Sequence, residues 1–386
     1  MRPYHSTWHF PHYFRKHLPK QLEELYLTAA ITDFSSAALA IFEPIYLWTL
    51  GYRIREIMTY YLLLYVVDFF LLPLGGKFVA RFGHERSILI STGWMVAYYV
   101  ALINIPNASN LFYVAPLLFA LQKAFYWPAY HVDFIRFSAK EERGAEYSGI
   151  AALSTIMYTI GPIAGGLIVK FFGFDALFVV GIASILLSSI PLFATKTPVK
   201  REAFSYWKSF VLPFRRRYQR TTVAYLSLGH ELILMTVWPI FILLSFGDLF
   251  DVGLLVGLSA LVTALATLVI GKWIDRKPKS ETLWFGGIGN LAVWLLRMVS
   301  RIPPMVLVME WIGRIFYNSS VVSITAITYD RAHEDDYTWH GVLYEQGFAI
   351  AKALMALAVF ILAGYTDPFV IAFALAALVS PLALVL

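Results

Sequence analysis

Residues 76–81 read GKFVAR, and residues 271–276 read GKWIDR. Each phrase closes a long apolar stretch, and 195 positions separate the two. Working outward, Pro44-Ile45 meets Pro239-Ile240 at the same offset, and Phe125-Tyr126 meets Phe316-Tyr317 at an offset of 191. The matches fall in the same order in both halves, so the chain reads as a parallel duplication of one multi-helix unit.

Composition says what solvent that unit lives in. Apolar residues make up 59% of the chain and charged residues 15%, with a mean hydropathy of +0.65. A soluble domain is about half apolar and a quarter charged, so this is a membrane composition. The 30 Phe, 23 Tyr and 11 Trp suit aromatic belts at the two interfaces. There is no cysteine, which excludes disulfides and thiolate metal sites. Windows long enough to cross about 30 Å of hydrocarbon fall at 24–49, 57–80, 87–105, 111–132, 147–171 and 174–194. A second set falls at 221–246, 252–274, 282–300, 304–327, 340–364 and 368–386.

The expected organisation is therefore an N-terminal six-helix bundle over 1–195, with a cytoplasmic lead-in over 1–22, and a C-terminal six-helix bundle over 221–386. Between them, residues 196–220 form a basic linker, with Arg215-Arg216-Arg217 interleaved among Trp207, Phe210 and Phe214. That mixture suits anionic lipid rather than nucleic acid. With both termini cytoplasmic, the Lys and Arg residues concentrate on the inner side, and only Arg53, Arg55, Lys170 and Arg301 lie at the outer ends. The positive-inside rule thus supports both the span count and this topology, and the expected location is the cell (inner) membrane as a multi-pass protein. The N-terminus, with Arg15, Lys16, Lys20, Glu23 and Glu24, is not a cleavable signal peptide.

At this point the sequence resembles the major facilitator superfamily of secondary transporters. That family's loop signature has the form G-x-x-x-D-R-x-G-R. Here it reads Gly76, Arg81 and Gly83, with Ala80 in place of Asp and His84 in place of the final Arg. The second copy keeps Gly271, Asp275 and Arg276. A helix-5 pattern, G-P-x-x-G-G, is present at Gly161, Pro162, Gly165 and Gly166. The resemblance implies an all-α integral membrane protein of twelve transmembrane helices, arranged as two bundles related by a pseudo-two-fold axis. It also implies alternating access around a midplane site, with the loop phrases acting as a cytoplasmic latch. The helix-5 pattern is associated with antiporters, although close packing alone would also explain it.

Charges inside a bilayer cost at least about 2.5–3.5 kcal/mol each on insertion scales, so they pair or line a cavity. Asp33, His230 and Glu231 are candidates for proton coupling, because each can change charge on entering a cavity. Lys123, Tyr126, Trp127, Arg314, Asn318, Glu345 and Lys352 are candidates for substrate binding. Glu310 and Arg314, four residues apart, could instead neutralise each other. Glu43 reads as interfacial, and Asp68 and Arg297 as packing ions. The histidines His5, His9, His12 and His17 make no convincing metal tract, and no phosphate-cradling loop suggests a nucleotide. Neither a cofactor nor an enzymatic activity is expected. The expected function is proton-coupled efflux of an amphipathic compound by a monomer. Uptake of a small anionic or polar metabolite on Lys123, Arg314 and Lys352 is the alternative. A third possibility is a non-transporting receptor or assembly protein on the same scaffold.

Overall fold

A computed structural model describes residues 20–137, 143–190, 204–216, 218–276, 279–300, 302–332 and 337–386. Each of the twelve apolar windows is mostly helical in its described residues. In the first half the helices are α1 (Lys20–Ala40), α2 (Phe42–Thr49), α3 (Ile54–Phe82), α4 (His84–Asn104), α5 (Leu111–Phe137) and α6 (Arg143–Ser189). The linker contributes α7 (Tyr206–Val211). The second half contains α8 (Gln219–Ser227), α9 (His230–Met235), α10 (Val237–Phe246), α11 (Leu249–Arg276), α12 (Lys279–Val299), α13 (Pro303–Ala332), α14 (Tyr337–Leu362) and α15 (Pro368–Val379). Among the described residues, nine helical stretches are long and apolar enough to cross a membrane. One of these, Leu153–Ser189, is two helices joined at Gly173, whose φ of 82° only glycine adopts readily.

The duplication is visible in the backbone. The first window breaks at Ile41 and the seventh at Thr236, and these positions are 195 residues apart. Each break lies three residues before a proline, Pro44 or Pro239. A proline has no N–H for the carbonyl four residues back and its ring crowds that carbonyl, so the helix yields there.

The glycine phrases now have contacts. A Cβ on Gly76 would sit 2.7 Å from Val342 Cγ2 and 3.0 Å from Phe204 Cζ, so α3 there packs closely on α14. Gly83 takes φ 89° and joins α3 to α4 in a single residue. The side chains of Gly271, Asp275 and Arg276 lie outside the described residues, as do those of Glu146, Tyr147 and Ser148 at the start of the fifth helix.

Helix-5 glycines do the same for α6. A Cβ on Gly161 would lie 2.8 Å from Ala37 Cβ on α1, and one on Gly165 would overlap the Ala38 carbonyl oxygen. Gly166 faces Leu249, Phe250 and Gly253 of α11. Such small residues let backbones meet in lipid, where dispersion rather than water drives association. Gly253→Val would push a side chain into the Pro162 carbonyl. It is expected to cost about 1–3 kcal/mol, read as a lower melting temperature in detergent. An unchanged melting temperature would mean that α6 and α11 can separate freely.

Two faces can be distinguished by the chain path. The linker, the α3–α4 turn and the end of α15 share one face, here the linker face. The α2–α3, α4–α5 and α10–α11 turns share the other, the far face. At the far face Lys170 Nζ donates to Asp248 Oδ2 at 2.7 Å, joining α6 to the turn before α11. That ammonium and the Phe250 N–H hold the Asp248 carboxyl below the usual carboxylate range. The main buried cluster joins both halves: it holds Phe42, Ile45 and Leu47 of α2 and Val237, Ile240 and Ile242 of α10, and these two helices are in contact.

On the linker, Phe210 packs its ring against Phe69 at 5.5 Å and Phe70 at 5.9 Å, and the Tyr206 hydroxyl donates to the Phe70 carbonyl at 3.3 Å. Trp207 and Phe214 stay about three-quarters exposed, which suits a short amphipathic element lying in an interface. Glu43 departs from the interfacial reading. It is 7% exposed and sits in the core between α2, α3 and α4, because the break at Ile41 turns it inward.

Candidate functional site

A cavity of about 370 Å³ lies between the two halves. From the first half, α3 contributes Tyr65 and Asp68, and α5 contributes Lys123, Trp127, Tyr130 and His131. From the second half, α9 contributes Glu231, α13 contributes Tyr317, and α14 contributes Tyr344, Glu345, Phe348 and Lys352. On α5 the spacing of four between Lys123, Trp127 and His131 puts all three on one face. On α14 Tyr344, Glu345, Phe348 and Lys352 share a face for the same reason.

The charges pair in a regular way. Lys123 Nζ is 3.9 Å from Asp68 Oδ2 within the first half. Lys352 Nζ is 3.3 Å from Glu231 Oε1 within the second. The third pair crosses between halves, with His131 Nε2 2.9 Å from Glu345 Oε1. Both lysines also flank the Tyr65 ring, at 5.8 Å and 5.3 Å from its centroid. Asp68 Oδ1 and Glu231 Oε2 are buried with no hydrogen-bond partner. An unsatisfied carboxylate oxygen in a dry site is costly, and a cation or ordered water is what satisfies it.

A family model described as Major Facilitator Superfamily matches residues 25–230, more than half of the chain. The chain belongs to the major facilitator superfamily. Over 139 residues it is also 27% identical to a protein from Planococcus maritimus named Na(+), Li(+), K(+)/H(+) antiporter. That stretch covers 35% of this chain and 32% of the relative.

The other sequence candidates of this superfamily member lie elsewhere. Arg314 Nε donates to Glu310 Oε1 at 2.7 Å and lines a second cavity of about 340 Å³ between α1, α6, α9, α11 and α13. Asn318 donates to Thr267 Oγ1, a residue of that second cavity, at 2.6 Å. Asp33 accepts from Ser154 Oγ at 2.5 Å, so it borders the second cavity through Ser154 and is absent from the lining of the first. The three cations that anion uptake would bring together therefore do not converge on one region, since Lys123 and Lys352 line the first cavity and Arg314 the second. Position along α13 fixes its depth, but the helix turns it to the other side.

His230 also faces away. Its Nδ1 lies 2.5 Å from the Ser227 carbonyl, so that nitrogen donates, and the ring sits beside Trp294 and Tyr317. Tyr126 lines neither cavity and stacks on Tyr130. His131, Tyr65 and Tyr344 were missed in the sequence. The every-fourth spacing from Lys123 through Trp127 reaches His131, which lies inside the expected window 111–132. Metal-ligating clusters are absent among the described residues, while His5, His9, His12 and His17 lie outside them.

Proposed function

We propose that the chain is a secondary transporter that exchanges a cation for a proton by alternating access. Its two working bodies would be residues 1–195 and 221–386, joined by the linker 196–220, with both termini cytoplasmic in the cell membrane. The observation that carries this reading is the one-to-one set of acidic and basic side chains lining the first cavity. Three carboxylates, Asp68, Glu231 and Glu345, face two lysines and one histidine. With His131 protonated the lining is neutral, and with His131 neutral it carries one net negative charge. One proton leaving therefore makes room for one monovalent cation, and the exchange moves no net charge.

Six aromatic rings around the cavity favour an amphipathic organic cation, whose charge would lie over Tyr65 or Trp127 and whose body would pack on Tyr344 and Phe348. An alkali cation is the second reading, favoured by the name of the Planococcus maritimus relative. Anion uptake loses support, because Lys123, Lys352 and Arg314 each already have a carboxylate partner. The open cavity also argues against a non-transporting receptor, in which that space would be filled.

The test uses proteoliposomes loaded with acidic buffer and a pH dye. Adding an aromatic quaternary ammonium salt outside should alkalinise the interior, with no need for a compensating ion current. His131→Gln should abolish that proton movement. Alkalinisation by sodium, potassium or lithium salts alone would select the second reading. No proton movement with any of these cations would sink the exchange mechanism.

A further inference from the structure

The break in each repeat is followed by a short helix, α2 or α10, and these two meet at the far face. Each carries, at the same repeat position, a buried polar side chain that bonds to its own half, Glu43 in α2 and Trp238 in α10, 195 residues apart. The two ties differ in chemistry. Trp238 Nε1 donates to Glu310 Oε2 at 2.7 Å, and the Arg297 guanidinium stacks 4.0 Å from its ring. Arg297 and Arg314 both pair with Glu310, so this tie is held by groups of fixed charge.

Glu43 has no such company. The Tyr61 hydroxyl donates to its Oε1 at 3.2 Å, and the Tyr60 and Tyr98 hydroxyls, themselves 3.2 Å apart, complete a cage of phenols. The titratable groups around it can be named element by element. Tyr60, Tyr61 and Tyr65 come from α3, and Tyr98 and Tyr99 from α4. On α2 itself Tyr46 donates to the Leu102 carbonyl, with Asp175 of α6 beyond it. On α10 the facing groups are apolar apart from Trp238. Among the described residues no lysine, arginine or histidine bonds or pairs with Glu43. A lone ionised carboxylate in such surroundings is far costlier than its neutral form, which can still accept the phenol bonds and donate one of its own.

We propose that Glu43 is a proton-binding site separate from the cavity, occupied while the far face is closed and emptied when α2 moves and admits water. Protonated Glu43 fastens α2 to α3 and α4, and with it the contact between α2 and α10. Loss of the proton loosens one of the two ties, while the Trp238 tie is indifferent to pH. The far face should therefore open as pH rises. The inference rests on the alternating-access reading, but its test needs neither a cargo nor transport.

The chain has no cysteine, so spin labels at Thr49→Cys and Leu244→Cys, near the ends of α2 and α10, report only the far-face distance. In detergent the labelled protein should populate a longer distance as pH is raised. Glu43→Gln, which mimics the protonated acid, should hold the short distance across the same range. Infrared difference spectra of the unlabelled protein should contain a protonated-carboxyl carbonyl band that is lost at alkaline pH and missing in Glu43→Gln. The proposal is overturned if that band is the same in both proteins, since Glu43 would then be ionised when closed. It is equally overturned if the band titrates but the distance does not respond to pH. Should Glu43→Gln fold poorly, the wild-type pH series of band and distance still decides, because the two must change together.

Discussion

Replacing Glu310 by glutamine is expected to cost about 3–5 kcal/mol of stability and to leave little protein recoverable from the membrane. Arg297 is 2% exposed and lies between the Trp238 and Trp294 rings, 4.0 Å and 4.3 Å from their centroids. Its Nη2 donates to the Met309 carbonyl, at 3.2 Å, and to Glu310 Oε2, at 3.3 Å. Glu310 also takes bonds from Trp238 and Arg314, so it is the one negative charge holding two guanidiniums and an indole. Glutamine keeps the shape and removes the charge, which strands Arg297 in a dry pocket beside another cation. The cost should be mostly that of the stranded charge rather than of the lost bonds. Adding Arg297→Met to Glu310→Gln should then recover much of the melting temperature measured in detergent. If the single variant melts with the wild type, the network contributes nothing to folding.

That network marks the limit of what could be read from sequence. The spacing of Glu310 and Arg314 pointed to their mutual pairing, and the pair forms. Its third member, Arg297, comes from the adjoining helix α12, and nothing in a single sequence says which face of that helix meets α13. The fold itself was legible for two reasons. Hydropathy reports the lipid directly, and the repeat offset of 195 left a backbone trace in the breaks at Ile41 and Thr236. Of the residues proposed from sequence, Lys123, Trp127, Glu345 and Lys352 for substrate and Glu231 for proton coupling line the same cavity. Arg314 and Asn318 were assigned to the same place because depth along a helix is readable and direction around it is not. Asp68 was taken for a packing ion because its partner, Lys123, stands 55 positions away on another helix.

Asp68→Asn is expected to weaken cation binding by between about thirty-fold and a few thousand-fold. Truncating one partner of a buried charge pair costs roughly 2–5 kcal/mol, at about tenfold in affinity per 1.4 kcal/mol. The substitution leaves Lys123, 13% exposed at its side chain, without its carboxylate. The cavity then runs between one positive charge and neutrality, instead of between neutrality and one negative charge. An entering cation meets an ammonium where a neutral pair stood. The double variant Asp68→Asn with Lys123→Met restores the original tally, with two carboxylates against one lysine and one histidine. Two roles for Asp68 separate at this point. If it serves only to neutralise Lys123, the double variant should bind the probe cation nearly as the wild type does. If its unpaired Oδ1 touches the cation, the double variant should stay weak although the charges balance. Titration calorimetry with an aromatic quaternary ammonium salt, at a pH where the wild type binds it, measures all three proteins alike. Unchanged binding in the single variant would mean that the cation never enters this cavity, and the second cavity beside Arg314 would have to be probed instead.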